Sequence, residues 1–164
     1  MYPDNCQFIP TSAPIRFMAA RKPLTGRTFN CTSNTSTKML SEATTDSTTD
    51  TVGGEVSMGS SFSVFSFGFN LTYNQNWLKS RTVTVSRTIT LNAKEVGWYD
   101  RGPALQKVTG KFVYKQTKPI EGAHFWIVGN VTVTGPDPAN EEGDVIEQSR
   151  PMTAAEVTSH CVAL

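Results

Sequence analysis

The sequence predicts an all-β protein built on an antiparallel sheet with one long amphipathic hairpin. Two observations carry that reading. Apolar residues alternate with Ser, Thr and Asn over long stretches, the period of strands buried on one face. The first thirty residues hold Pro3, Pro10, Pro14 and Pro23, a density that excludes a regular helix there. With 164 residues and a net charge of +1, the chain has room for one real core. The charge balance gives no reason to expect nucleic acid or an anionic surface as partner. No apolar run approaches the roughly 20 residues of a spanning helix, and none at the N-terminus reads as a signal sequence. Met1 is expected to stand in place of a removed signal peptide.

Residues 1–30 read as a proline-rich arm and residues 31–164 as a single β domain. In the arm, Ile15, Phe17 and Met18 with Arg16, Arg21 and Lys22 can form an edge strand. It either covers a sheet edge of its own chain or docks on another subunit by strand addition. Residues 32–50 are Ser/Thr-rich with weak alternation, either a first long strand or a flexible lead-in.

Residues 51–91 organise the rest. Val56, Met58, Phe62 and Val64 fall on even positions, then Phe65, Phe67, Phe69, Leu71, Tyr73 and Trp77 on odd ones, and the odd register resumes at Val83, Val85, Ile89 and Leu91. A one-residue slip reverses both faces, so the change of parity needs a bulge or an even-numbered hairpin loop. A hairpin turning between Val64 and Phe65 sets Phe62 against Phe67, Met58 against Leu71 and Val56 against Tyr73, with one apolar face and one of Ser, Thr, Asn and Gly. Such a hairpin either covers a core or enters a bilayer as part of a barrel.

After Leu91 a loop over residues 92–103 shows Trp98 and Tyr99 between Gly97 and Gly102, a surface suited to a receptor, a sugar or a lipid interface, or else a cap on the sheet. Val108, Phe112 and Tyr114 alternate again. Phe125, Ile127, Val131 and Val133 form a further strand, with Trp126 and Val128 on its other face, which places it centrally in the sheet. The acidic run at residues 136–147 reads as a solvated loop rather than a calcium site, and Thr153 with Glu156 as a capping box. Four glycosylation sequons start at Asn30, Asn34, Asn70 and Asn130.

Cys6, Cys31 and Cys161 lack zinc spacing and suit an exported protein. Cys31 with Cys161 and Cys6 with Cys31 are both open pairings, the former preferred; Cys6 is then free or pairs in trans. Only His124 and His160 are available for acid–base work and neither sits in a catalytic motif, so the chain is expected not to be an enzyme and to need neither cofactor nor metal.

Thr51-Val52-Gly53, the alternating run ending in aromatic residues, the return at Gly68, Thr72-Tyr73 and the Ser/Thr-rich strand towards Leu91 resemble the insertion region of the aerolysin family of β-pore-forming toxins, in its epsilon-toxin and mosquitocidal-toxin branch. The layout is also similar to that of small secreted β-proteins of soil bacteria and fungi. The resemblance implies an elongated bundle of long twisted strands, secretion, a receptor on the target cell, homo-oligomers on its membrane, and insertion of the 52–77 hairpin into that membrane. The alternative is a non-enzymatic binding or adaptor module of a secreted toxin or effector assembly, meeting protein partners through the arm and the Trp98-Tyr99 loop. An inhibitor or lectin-like domain is a third reading.

Overall fold

The computed structural model describes residues 5–52, 55–56 and 62–162, with backbone alone at Asn5, Val52, Glu55, Val56, Gln116 and Ile120. The fold is all-β with antiparallel sheets. In chain order the described elements are β1 (Asn5–Pro10), β2 (Ile15–Met18), β3 (Lys22–Pro23), β4 (Thr28–Phe29), β5 (Ser36–Ser47), β6 (Thr49–Val52), β7 (Glu55–Val56), α1 (Phe62–Tyr73), β8 (Ser80–Leu91), β9 (Glu95–Gly102), β10 (Ala104–Ile120), β11 (Ala123–Pro136), β12 (Asp144–Pro151) and α2 (Ala154–Cys161). They fall into two compact units, one of residues 1–17, 46–81 and 105–139, the other of 18–45, 82–104 and 140–164.

In the first unit the sheet has the order β1-β10-β11-β6-β7, with β2 also paired to β10. β1 lies on the edge, the Ile15–Met18 segment expected as an edge strand is β2, which also pairs with β10, and β11 lies inside the sheet. One face is apolar because the register stacks like on like: Phe8 opposite Phe112 and Phe112 opposite Val128, then Gly110 opposite Val131 and Val108 opposite Val133. The apolar positions of β11 change parity between Val128 and Val131. A bulge accounts for it, with Asn130 at φ 56° as the residue of left-handed backbone. Gly110 leaves the space that the Phe8 ring fills.

α1 packs on that face. Phe62, Phe65, Phe69 and Tyr73 recur at helical spacing, and Phe65 and Phe69 are fully buried. Phe65 meets Phe8 edge to face at 4.8 Å, and Trp77 meets Phe65 and Phe69, each at 4.9 Å. Gly68 lets the helix approach β1, where a Cβ would strike the Phe8 carbonyl. Asn74, at φ 51°, ends the helix in left-handed backbone and donates its N–H to the Asn70 carbonyl at 2.7 Å. This corrects the expected hairpin. No turn lies at Val64 and Phe65, because the odd-position apolar residues of 65–73 also satisfy i, i+4 spacing and the helix buries them against Phe8. The strand pairing that does occur there is β6 with β7, Thr51 opposite Val56 and Val52 opposite Glu55.

The second unit holds residues 36–45 of β5 and 82–91 of β8, which pair, and the sheet β12-β9-β3, with β4 also on β9. Ile89, Leu91 and Tyr99 form its buried cluster, with Leu40 and Val145 against them. The predicted odd register of β8 is present: Val83, Val85, Ile89 and Leu91 are buried. Thr153 caps α2 with the expected capping box, its hydroxyl accepting from the Glu156 N–H.

Candidate functional site

The candidate site is the segment that joins strand β5 to strand β8, residues 48–79 of the first unit. Hydroxyls meet across the pair at Thr37 with Thr90, Ser41 with Ser86 and Thr45 with Thr82, at 3.3, 2.7 and 3.0 Å. Each pair of numbers sums to 127, the mark of one antiparallel register. The same sum continues past the ends of the cross-strand hydroxyls. Asp46 lies 3.8 Å from Arg81 in an ion pair, and the Thr48 N–H donates to the Lys79 carbonyl at 2.7 Å. One face of the pair therefore carries the Ser and Thr hydroxyls, with Met39 and Ala43 of β5 among them, and the other carries Val83, Val85 and Ile89.

At Thr48 the ladder is bolted. Its hydroxyl donates to the Leu78 carbonyl at 2.8 Å and accepts from the Trp77 indole N–H at 3.0 Å. β6 then leaves β8 and joins β11, with Thr49 opposite Thr134 and Val52 opposite Val131. The sequence holds this register only implicitly, in Thr37, Ser41 and Thr45 four residues apart on β5 and in the Ser and Thr at the even positions of β8.

The predicted hairpin residues are divided by the fold. Phe65, Phe69 and Trp77 are buried, and Phe62, Val64 and Tyr73 are half-buried. The Tyr73 hydroxyl donates to the Ser12 carbonyl at 2.6 Å. Phe67 and Leu71 are 68 and 71 % exposed and flank a shallow groove with Gln7, Phe8, Ile9 and Thr72. Val56 pairs in β7, and Met58 lies outside the described residues.

Trp98 and Tyr99 stand in strand β9, between β12 on one side and β3 and β4 on the other, so the expected display loop is corrected to an interior strand. Gly97 is a packing glycine there, since a Cβ would meet the Ile89 and Leu91 side chains. Tyr99 is buried, and its hydroxyl bonds the Thr88 carbonyl and the Glu147 carboxylate at 2.9 and 3.1 Å. Burial, then the Glu147 carboxylate, raises its pKa, because the phenolate would lose solvent beside a negative charge. Trp98 is half-buried under the Arg27 guanidinium, 4.9 Å from its ring, and its indole N–H donates to Asp100.

Cys31 is bonded to Cys161, with Cα atoms 5.3 Å apart across a sequence separation of 130. Cys6 is a free thiol, half-buried; burial pushes its pKa up, against a smaller lowering by its hydrogen bond with Tyr114. The acidic run is engaged by arginines: Asp137 with Arg16, Glu142 with Arg87 and Asp144 with Arg21. Of the sequon asparagines, Asn30 is buried, its amide directed at the carbonyls of Asn34, Leu91 and Asn92.

No family model matches the chain, and no curated protein matches it. Two solved structures are similar to it. One is the parasporin-2 toxin of Bacillus thuringiensis that recognises cancer cells, at 16% identity and a TM-score of 0.35 over 90% of this chain and 74% of that one. The other is a non-toxic crystal protein of Bacillus thuringiensis, at 13% identity and a TM-score of 0.28 over 93% and 88%. At these TM-scores neither likeness carries weight for function.

Proposed function

We propose that the protein is secreted and permeabilises membranes: copies gathered on a target cell each release the segment between β5 and β8 and re-form it as one hairpin of a transmembrane barrel, as the aerolysin-like resemblance implies. The observation that supports this is the register. Continued beyond Thr48 and Lys79 with the same sum of 127, the ladder places Val56 against Leu71, Met58 against Phe69 and Phe62 against Phe65, on the face that already carries Val83 and Val85. Opposite these, Thr51 meets Asn76, Glu55 meets Thr72, Ser57 meets Asn70 and Ser61 meets Ser66, extending the row of hydroxyls. The tip falls at Ser63 and Val64. Residues 52–62 and 65–75 then match the roughly 9–11 residues with which a tilted strand crosses a bilayer, apolar towards lipid and polar towards the lumen.

The cost of release explains why the soluble form holds the segment. Taking Phe65, Phe69 and Trp77 into water costs about 1.5–3 kcal/mol each, which lipid contact offsets only at a membrane. The same burial favours a second reading, the non-enzymatic binding module, in which α1 stays in place permanently.

Leu71 and Thr72 separate the two. They are neighbours, both exposed on α1, yet the register sends Leu71 to lipid and Thr72 to the lumen. Wild type is expected to release dye from target cells or vesicles, Leu71→Asp to abolish release, and Thr72→Asp to retain it with a stronger cation preference. Equal loss in both variants, or no release from any membrane by the folded wild type, overturns insertion and leaves the module reading.

A further inference from the structure

The tip of the β10-β11 hairpin presents apolar side chains on both faces. Glu121 and Gly122, at φ 51° and 81°, form a tight turn between Ile120 and Ala123, with both central residues in the positive region that primed hairpin turns require. The described part of β6 pairs with β11 only at Val131–Thr134, so the start of β11 has β10 alone beside it among the described strands. On the face away from α1, Ile9, Phe125 and Ile127 are 40, 59 and 61 % exposed, with Lys111 opposite Ile9 and Lys115 opposite Phe125. On the other face, past the end of the helix-covered core, Trp126 is 42 % exposed opposite Tyr114.

Charge follows the same hairpin. Residues 105–136 hold Lys107, Lys111, Lys115 and Lys118 against Glu121 as their one carboxylate, a local excess that the near-zero net charge of the chain conceals. Lys115, opposite Phe125, and Lys118, three residues before the turn at Glu121, are exposed.

We propose that this tip is a docking site for an anionic lipid surface. A protein partner covers one face of a sheet, whereas exposed aromatic and aliphatic side chains on both faces of this end of the β1-β10-β11 strands suit a medium that surrounds it. Trp and Phe at headgroup depth with lysines beside them are the composition of membrane interfaces, and each lysine near an anionic leaflet adds roughly 1 kcal/mol, about fivefold in affinity. The site is separate from the inserting segment, and its occupation does not require insertion.

The test is co-sedimentation of the whole protein with vesicles of phosphatidylcholine, alone or with phosphatidylserine added, alongside tryptophan emission. Binding to the anionic vesicles is expected, weakening with salt, with a blue shift that Trp126→Phe removes. Phe125→Ser with Ile127→Ser is expected to weaken binding by at least about tenfold. Lys115→Glu with Lys118→Glu should do the same on anionic vesicles and leave neutral ones unchanged. Leu71→Asp, which blocks release if the segment inserts, should still co-sediment with anionic vesicles and keep the Trp126 blue shift, so loss of docking and loss of insertion are told apart. Absence of binding by the folded protein, binding equal on neutral vesicles, or binding undiminished in the double serine variant overturns the proposal. So does a concentration-dependent dimer that the serine variant abolishes, which would assign the tip to a second copy of the chain.

Discussion

Glu156 shows how much one side chain can hold at the end of a short helix. Its carboxylate takes two guanidinium contacts from Arg150 at 2.7 and 2.8 Å, accepts the Thr153 N–H at 2.9 Å and lies 3.4 Å from Arg27. Arg150, then the Thr153 backbone, lowers its pKa from 4.5 to about 2. A carboxyl held below its unfolded value stabilises the fold fully above pH 4.5 and loses that contribution as the pH falls towards 2. Thermal unfolding of Glu156→Gln should therefore show a deficit at pH 7 that narrows below pH 4.5 and closes near pH 2; a constant deficit would place the effect in packing alone. Thr153 and Glu156 were legible as a capping box because that motif is local. Arg150 as the partner was not, since it stands at the end of β12.

Among elements, α1 and the strands beside it carry the clearest difference between sequence and structure. Alternation in β8 is unambiguous, because Val83, Val85, Ile89 and Leu91 fit period 2 and leave Ser and Thr at the even positions of the open face, while Arg81 and Arg87 share the odd parity. In residues 65–73 the same apolar alternation also gives two rows at i, i+4, namely Phe65, Phe69, Tyr73 and Phe67, Leu71. The period cannot choose between them. Contact with Phe8 chooses, through Gly68, from a strand some sixty residues away in sequence. If the segment converts to a hairpin, its register must be that of β5-β8. In a Cys6→Ser background, Val56→Cys with Leu71→Cys should then form a disulfide in membrane-bound oligomers, and Val56→Cys with Tyr73→Cys should not. The reverse result would move the turn to Val64 and Phe65 and remove the link to the β5-β8 ladder.

At the scale of the whole molecule, the Cys31–Cys161 bond joins the residue after the turn from β4 to the end of α2. Closing a loop of that length restricts the unfolded chain, and losing it is expected to cost about 2–5 kcal/mol. Denaturant midpoints with and without reductant measure this. Cys31→Ser should match reduced wild type and be insensitive to reductant, and Cys6→Ser should behave as wild type. A midpoint unmoved by reduction would show that the second unit's packing alone sets its stability.

The sequence by itself determined the all-β class, the buried rows of β8 and of β10 and the cap of α2. Each depends on periodicity or on a few adjacent residues, which the linear order displays. The tertiary structure alone decided that residues 62–73 are helical, that Trp98 and Tyr99 lie inside a sheet, that Cys31 takes Cys161, and that the β5-β8 register sums to 127. These depend on which distant surfaces meet. Gly68 reads in the sequence as part of a return and Gly97 as the flank of a loop, but in the fold each is a point of closest approach, Gly68 to Phe8 and Gly97 to Ile89 and Leu91, where the absence of a side chain lets two elements touch.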